Sequence, residues 1–168
     1  ESAEIDTKDK LKSIFVVNSA IRISCIGNEV ILKALSQNGE LALKSVIEYI
    51  KDKVAYELVK GQLILSFKDN KYNQLDEYKK LKQSSIFDAL RYIKETFVVD
   101  NQFSVFIAGL FAYDVVGNFE NIGTVKRKNK NPDYVFYLAE TILISDHKQK
   151  KSYIQINCFD EKDTTDLA

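Results

Sequence analysis

The sequence predicts an α+β fold in which an antiparallel β-sheet, or part of a β-sandwich, is flanked by helices. Two observations support this prediction. Runs of β-branched and aromatic residues are joined by short turns, which is typical of antiparallel strands. Two other segments carry apolar residues at helical spacing. With 168 residues, 45% of them hydrophobic and 29% charged, the chain is long enough to form one domain with a buried core.

The first element is a hairpin. Residues 13–24 read SIFVVNSAIRIS and have strand character, and the polar pair Asn18-Ser19 interrupts them and indicates a bulge. Gly27-Asn28 is a tight-turn signal, and the run EVILKAL after it returns as the second strand. We therefore expect the first two strands to pair.

The first helix is predicted to begin near Asn38, which is a plausible N-cap. Its apolar positions recur at helical spacing: Leu41, Val46, Ile47 and Ile50. A linker is expected after the helix, ending at Gly61, and the run QLILSF then forms a short strand.

The second helix is expected after a polar surface connection at residues 69–82. Ser85, with Asp88 three residues later, resembles a capping box. An apolar stripe follows, formed by Ile86, Phe87, Leu90, Ile93 and Phe97.

Three strands complete the prediction. Residues 103–113 are almost all apolar and indicate a strand buried on both faces, with Ala108-Gly109 allowing close backbone approach. Pro132 closes a basic loop, KRKNKN. Residues 134–145 and 152–159 are then expected to form two strands joined by the turn DHKQKK.

Composition excludes several classes of partner. The 24 basic and 24 acidic side chains cancel, so no overall field attracts nucleic acid or an anionic membrane. No apolar run is long enough to span a membrane, and the polar, acidic start does not resemble a secretory signal. Cys25 and Cys158 lie in apolar runs, which favours two reduced, buried thiols in a cytosolic protein over a disulfide. Because the chain contains no methionine, we expect it to be a piece of a longer protein.

The residues alone do not predict an enzyme. His147 is the single histidine and lies in a lysine-rich turn, where a solvated side chain is expected. Zinc ligands, a nucleophile elbow and a phosphate-binding glycine loop are all missing from the sequence. Asp114 and Glu120 flank an apolar strand, and for Asp114 a capping role is the simpler interpretation. Lysines at 126–130 and 148–151 could form a cationic patch, although solvated turns commonly carry lysine.

Five segments, in order, resemble the anthranilate synthase component I family. They are ESAEIDTKDKLKS (1–13), ALSQNGE (34–40), SSIFDALRYI (84–93), GLFAYDVVGNFE (109–120) and PDYVFYLAETILISDHKQKK (132–151). Together they extend over most of the chain, which would be the N-terminal regulatory and scaffold segment, residues 1–168, of a longer chorismate-binding enzyme.

The resemblance implies a feedback site in this part of the protein. In the family, the segment that matches Glu1, Ser2 and Ala3 lines the allosteric pocket for L-tryptophan, and the arginine that matches Arg91 contributes to it. An amino acid needs a partner for its ammonium group, donors for its carboxylate and an apolar slot for its side chain. Glu1, Ser2, Arg91 and nearby backbone groups offer such partners.

The resemblance also implies what lies elsewhere. The residues that bind chorismate and Mg²⁺ would belong to a C-terminal portion, so this chain would have no complete active site. The implied partner is a glutamine amidotransferase subunit that supplies ammonia, and the implied location is the cytoplasm.

Two other functions stay open at this point. The first is para-aminobenzoate synthase component I or another chorismate-using relative. The second is a ligand-binding or protein-interaction domain without enzymatic activity. The chain also departs from the family, because many members carry a basic residue where Gly117 stands, and residues 51–83 match no pattern of the family.

Overall fold

A computed structural model describes residues 12–68, 84–98, 105–118 and 131–159. Several predicted features lie outside these ranges. They are Glu1, Ser2, Ala3, the connection at 69–82, residues 103–104 of the predicted apolar strand, Glu120 and the lysines of 126–130.

The architecture is one antiparallel sheet with two helices, which confirms the predicted α+β class. The strands are β1 (Lys12–Ile26), β2 (Glu29–Ala34), β3 (Ala55–Val59), β4 (Gln62–Ser66), β5 (Ile107–Phe111), β6 (Tyr134–Asp146) and β7 (Lys151–Ile156). The helices are α1 (Gln37–Ile50) and α2 (Asp88–Thr96), and a 3₁₀ helix covers Tyr113–Asn118. The order in the sheet is β3-β4-β2-β1-β6-β5, and β7 also pairs with β6.

The long strands β1 and β6 form the centre of the sheet. They pair from Lys12↔Asp146 to Cys25↔Tyr134, with register shifts between Val16 and Ile21 that confirm the predicted irregularity at Asn18-Ser19. On its other edge, β6 pairs with β5 along residues 134–138 and with β7 along residues 141–146. The predicted hairpin of β1 and β2 and the predicted pairing of β6 with β7 are both confirmed.

The N-cap of helix α1 lies two residues earlier than predicted. Its N-cap is Ser36, whose Oγ accepts a hydrogen bond from the Gly39 N–H at 3.0 Å. The assignment of Asn38 as the cap was therefore wrong. The Asn38 side chain instead donates to the Asn157 carbonyl at 2.7 Å and accepts from the Phe159 N–H at 2.8 Å. It thus ties the start of α1 to the segment that follows β7.

Close contact with β1 explains the glycine in the first turn of α1. A side-chain carbon on Gly39 would collide with the carbonyl of Ala20. The face of α1 toward the sheet then buries Ala42, Leu43, Val46 and Ile50, while Leu41 and Ile47 are partly buried beside them. The predicted apolar stripe is therefore the packing face of the helix.

The linker expected before Gly61 is in fact a strand. Residues 55–59 form β3, which pairs with β4 through Tyr56↔Leu65 and Leu58↔Leu63. The turn is Lys60-Gly61, and both residues have positive φ, 51° and 76°. Such a turn is favoured in two-residue hairpins, but every residue of β3 is exposed, so its sequence lacks the alternating pattern of a half-buried strand.

The apolar run before Tyr113 is also less buried than predicted. In the described residues it forms β5, only five residues long, and Leu110 and Phe111 are 66% and 48% exposed. The prediction of a strand buried on both faces was therefore wrong. The close approach expected at Gly109 is correct, because a side-chain carbon there would collide with the backbone of Val135 and Phe136.

The larger core lies between the sheet and the two helices, and a second, smaller cluster along β6 buries Ala139, Ile142 and Ile144. The fully buried members of the larger core include Ile21 and Ile23 of β1, Leu32 of β2, Leu63 of β4 and Ile93 of α2. Asp88 is the one charged side chain buried in the described ranges. Within those ranges, neither helix is long and apolar enough to cross a membrane.

One end of the sheet is a three-stranded extension, here called the open ribbon. It consists of residues 12–17 of β1, residues 141–146 of β6, and β7. Phe15, Leu143 and Ile154 are cross-strand partners and therefore lie side by side on one face. They are 65%, 37% and 65% exposed. The open ribbon thus presents an apolar row to solvent.

Candidate functional site

Arg91 is the predicted site residue that the structure describes, since Glu1, Ser2 and Ala3 lie outside the described residues. It belongs to α2, and its side chain is 68% exposed. The guanidinium group is thus accessible to a ligand.

The buried carboxylate of Asp88 binds the Arg91 side chain. Asp88, the first residue of α2, has a side chain that is only 13% exposed, and its Oδ1 accepts a hydrogen bond from Arg91 Nη1 at 2.7 Å. Its Oδ2 accepts from the Ser85 N–H at 2.7 Å. Both carboxylate oxygens are therefore engaged. Among the described residues the guanidinium is held through one nitrogen, Nη1, and a guanidinium has further N–H donors that a ligand can use.

The predicted capping box is half correct. The bond from the Ser85 N–H to Asp88 is the reciprocal interaction that such a box requires. The N-cap position, however, is Phe87 rather than Ser85, and Phe87 makes no side-chain cap bond. The carboxylate at the start of α2 also lies where the helix dipole favours negative charge.

An aromatic cluster stands one helical turn before Arg91. Phe87, the N-cap residue of α2, contacts Phe111 of β5 and Tyr134 of β6, with ring centroids 5.7 and 6.2 Å apart. Phe111 also packs edge-on against Phe136 at 4.8 Å. Phe111 is half exposed, so the cluster offers aromatic surface to solvent. The sequence did not predict this cluster, because it depends on the pairing Phe111↔Tyr134.

Tyr134 fixes the aromatic cluster to the segment that leads into α2. Its side chain is fully buried, and its hydroxyl donates to the Ile86 carbonyl at 2.7 Å. Burial raises the pKa of Tyr134 far above its usual range, with smaller contributions from Cys25 and Asp133. The phenol is therefore a structural hydrogen-bond donor at all physiological pH values.

The two cysteines have different surroundings. Cys25 is buried, as predicted, and burial together with Asp133 raises the pKa of its thiol to about 12. A thiol of this kind is not a nucleophile at neutral pH. Cys158 is exposed, which corrects the prediction that both would be buried. It follows β7 and lies beyond the last paired residue of that strand.

The remaining candidate groups offer no catalytic arrangement in the described parts of the chain. His147 is exposed in the β6–β7 turn, as predicted, with its Nε2 2.7 Å from Ser13 Oγ. The side chain of Asp114 and the surroundings of Gly117 lie outside the described set. The described residues contain no group of three His, Cys, Asp or Glu side chains that could hold a metal ion.

The geometry around α2 is suited to binding. Among the described residues the exposed Arg91 guanidinium bonds to Asp88 through one nitrogen, and Arg91 follows Phe87 of the aromatic cluster by one helical turn. This combination matches a ligand with a carboxylate and an apolar body.

Comparison with known proteins gives a consistent set of relatives, although no family model matches the chain. The chain is 41% identical over 165 residues to anthranilate synthase component 1 of Vibrio cholerae, which covers 97% of this chain and 31% of that protein. It is 42% identical over 161 residues to the protein of the same name from Vibrio parahaemolyticus, covering 95% of this chain and 30% of that protein. For the Escherichia coli protein of that name the identity is 38% over 161 residues, covering 95% and 31% of the two chains.

The chain thus spans just under a third of the length of these relatives. The similarity includes residues 51–83, for which the sequence alone had offered no match, because it extends over almost the whole chain. The chain is therefore homologous to the N-terminal portion of anthranilate synthase component 1.

Proposed function

We propose that this chain is the N-terminal, tryptophan-binding portion of an anthranilate synthase component 1. The whole protein would convert chorismate and ammonia to anthranilate and pyruvate in tryptophan biosynthesis, in the cytoplasm. The observation that carries the proposal is the identity of 41% along 97% of the chain to a protein of that name.

The arrangement on α2 supports a feedback role for this portion. Tryptophan carries a carboxylate, which the exposed Arg91 guanidinium can bind, and an indole ring, which aromatic surface such as that of Phe111 can contact. Glu1, Ser2 and Ala3 would complete this flank of the pocket, with Glu1 facing the ammonium group.

The open ribbon supports the proposal that further polypeptide belongs to this fold. Exposed apolar residues that stand in cross-strand register form a patch, and patches of this kind commonly mark a contact surface. The relatives have more than twice as much additional chain as is present here. We propose that this additional portion holds the chorismate site, the Mg²⁺ ligands and the acid–base groups.

The proposed partner is a second component. The relatives are named component 1, which implies a partner component for them. For this protein we propose a glutamine amidotransferase subunit that delivers ammonia.

The experiment is an assay of the intact gene product with chorismate, Mg²⁺ and ammonium, with the aminobenzoate product separated by chromatography. We expect the ortho isomer, anthranilate, and inhibition of its formation by L-tryptophan. The para isomer, formed without tryptophan inhibition, would instead identify a para-aminobenzoate synthase component I. A gene product that consumes no chorismate would favour a ligand-binding domain.

The isolated 168-residue chain serves as the control in this assay. It is expected to form no anthranilate, because the described residues hold no catalytic arrangement and the proposed active site lies outside the chain. Anthranilate formation by the chain alone would contradict the proposal that the active site lies in the additional portion of the protein.

A further inference from the structure

We propose that Asp88 is a positioning residue that orients Arg91 for the carboxylate of the effector. This inference rests on the proposed function, since it concerns the same tryptophan site. It assigns a role to a side chain that none of the sequence motifs had singled out for binding.

The burial of Asp88 is the first argument. A carboxylate loses hydration when it is buried, and it is retained in proteins where its oxygens are paired. Asp88 is the one charged side chain buried in the described ranges, and each of its oxygens has a hydrogen-bond donor at 2.7 Å. Its place at the first residue of α2 explains the bond to Ser85, and the three-residue spacing on the helix brings Arg91 within reach of its other oxygen.

The second argument is the geometry of the pair. The bond from the Ser85 backbone fixes one carboxylate oxygen, so the other presents a stationary acceptor to Arg91. A guanidinium is planar and rigid, and one bond to Nη1 therefore restricts where its other donors point. The Arg91 side chain is 68% exposed, and its one hydrogen bond among the described residues is the bond to Asp88.

The expected consequence is a lower entropic cost of binding. A long side chain that is already held in place loses less rotamer freedom when a ligand carboxylate arrives. Removing the Asp88 charge should therefore weaken effector binding through Arg91, while a site for chorismate elsewhere in the protein is unaffected.

The test is a double-mutant cycle in the intact gene product, read as the tryptophan concentration that halves anthranilate formation. Asp88→Asn keeps the size of the side chain and an oxygen for the Ser85 N–H, but it removes the charged acceptor of Arg91. We expect this variant to raise the half-inhibitory concentration by about two- to fivefold, as for a single partly exposed ion pair. Arg91→Gln should raise it by about tenfold or more.

The decisive readout is the combination of the two changes. If Asp88 acts through Arg91, Asp88→Asn adds no further shift in the Arg91→Gln background, and kcat/KM for chorismate stays unchanged in all variants. A purely structural role would give the same shift in both backgrounds, or would change kcat/KM, and would overturn the inference. The matched control is Glu40→Gln, which changes an exposed acidic residue in the first turn of α1 and should leave inhibition by tryptophan unchanged.

Failure of the proposed function gives a different result. If the wild type ignores tryptophan, or Arg91→Gln leaves its inhibition unchanged, then the proposed site itself is wrong. If Arg91→Gln weakens inhibition and Asp88→Asn does not, only the positioning role of Asp88 is contradicted.

Discussion

The two ends of the sheet differ in what covers them. Helices α1 and α2 cover one half of the sheet, which consists of β2, β4 and the paired segments 21–25 of β1 and 134–138 of β6. In this covered half, inward side chains such as Ile23 and Leu63 are fully buried. The open ribbon, built from the other ends of β1 and β6 together with β7, leaves Phe15 and Ile154 65% exposed. We infer that the covered half gains its stability within this chain, whereas the apolar row of the open ribbon is available for contact with additional polypeptide.

The largest expected difference in stability comes from replacing one isoleucine by alanine in each end of the sheet. Ile23→Ala removes fully buried carbons from the covered half and should lower the free energy of unfolding by about 2–5 kcal/mol. Ile154→Ala in the open ribbon should lower it by less than about 1 kcal/mol. Urea unfolding of the chain followed by circular dichroism measures both. Equal losses would show that the two ends are stabilised alike.

A tyrosine in each half gives the next comparison. Tyr134→Phe leaves the Ile86 carbonyl without its 2.7 Å donor in a buried place and should cost about 1–3 kcal/mol. Tyr153→Phe in the open ribbon removes a hydroxyl from a side chain that is 38% exposed, and it should change stability by less than about 0.5 kcal/mol. The comparison fails if thermal unfolding shifts equally in the two variants.

Alkaline pH should weaken the covered half. The pKa of Cys25 is raised to about 12 in the folded state, so between pH 9 and 12 the unfolded state releases a proton that the folded state keeps. Stability therefore falls as pH rises, by about 1 kcal/mol between pH 9 and pH 10 from this thiol. The raised pKa of Tyr134 acts in the same direction at higher pH.

Matched cysteine variants check the origin of that pH dependence. Cys25→Ala should reduce the loss of stability between pH 9 and pH 10, while Cys158→Ala, at the exposed cysteine, should leave it unchanged. Reaction with a thiol reagent should likewise modify Cys158 in the folded chain and reach Cys25 only after unfolding. Rapid modification of both thiols in the folded chain would contradict the burial of Cys25.

A charge in the open ribbon is also expected to have only a small effect on the chain itself. Ile154→Lys places an ammonium group where the side chain is already 65% exposed, and it should alter the stability of the 168-residue chain by less than about 1 kcal/mol. In the intact gene product the same change should be strongly destabilising if additional polypeptide covers the row. Equal, small effects in both would show that the ribbon stays open.

The sequence predicted most elements of the covered half. Alternation and helical spacing identified β1, β2, β4, α1 and α2, because burial on one face imposes those periods. The predictions failed for β3, because a fully exposed strand has no alternation of buried and exposed residues in its sequence. They also failed for β5, because its sequence is apolar although much of it is exposed. Such a run gives no sign of what would cover it.

The local hydrogen bonds explain the other differences. Ser36 and Asn38 are both good N-cap residues, and tertiary bonds distinguish them: Ser36 caps the helix and also donates to Glu140, whereas Asn38 bonds to the segment after β7. The aromatic cluster beside Arg91 depends on the register of β5 on β6, which local sequence does not specify. The role of Arg91 came from family resemblance, and the structure adds its anchor, Asp88.

Calorimetric titration of L-tryptophan into the intact gene product and, in parallel, into the 168-residue chain tests most directly whether one flank of an effector pocket lies in this chain. We predict saturable binding to the intact protein and weak or undetectable binding to the chain alone, because the opposite wall of the pocket would be missing. Tight binding to the chain alone, or no binding to the intact protein, would contradict the account.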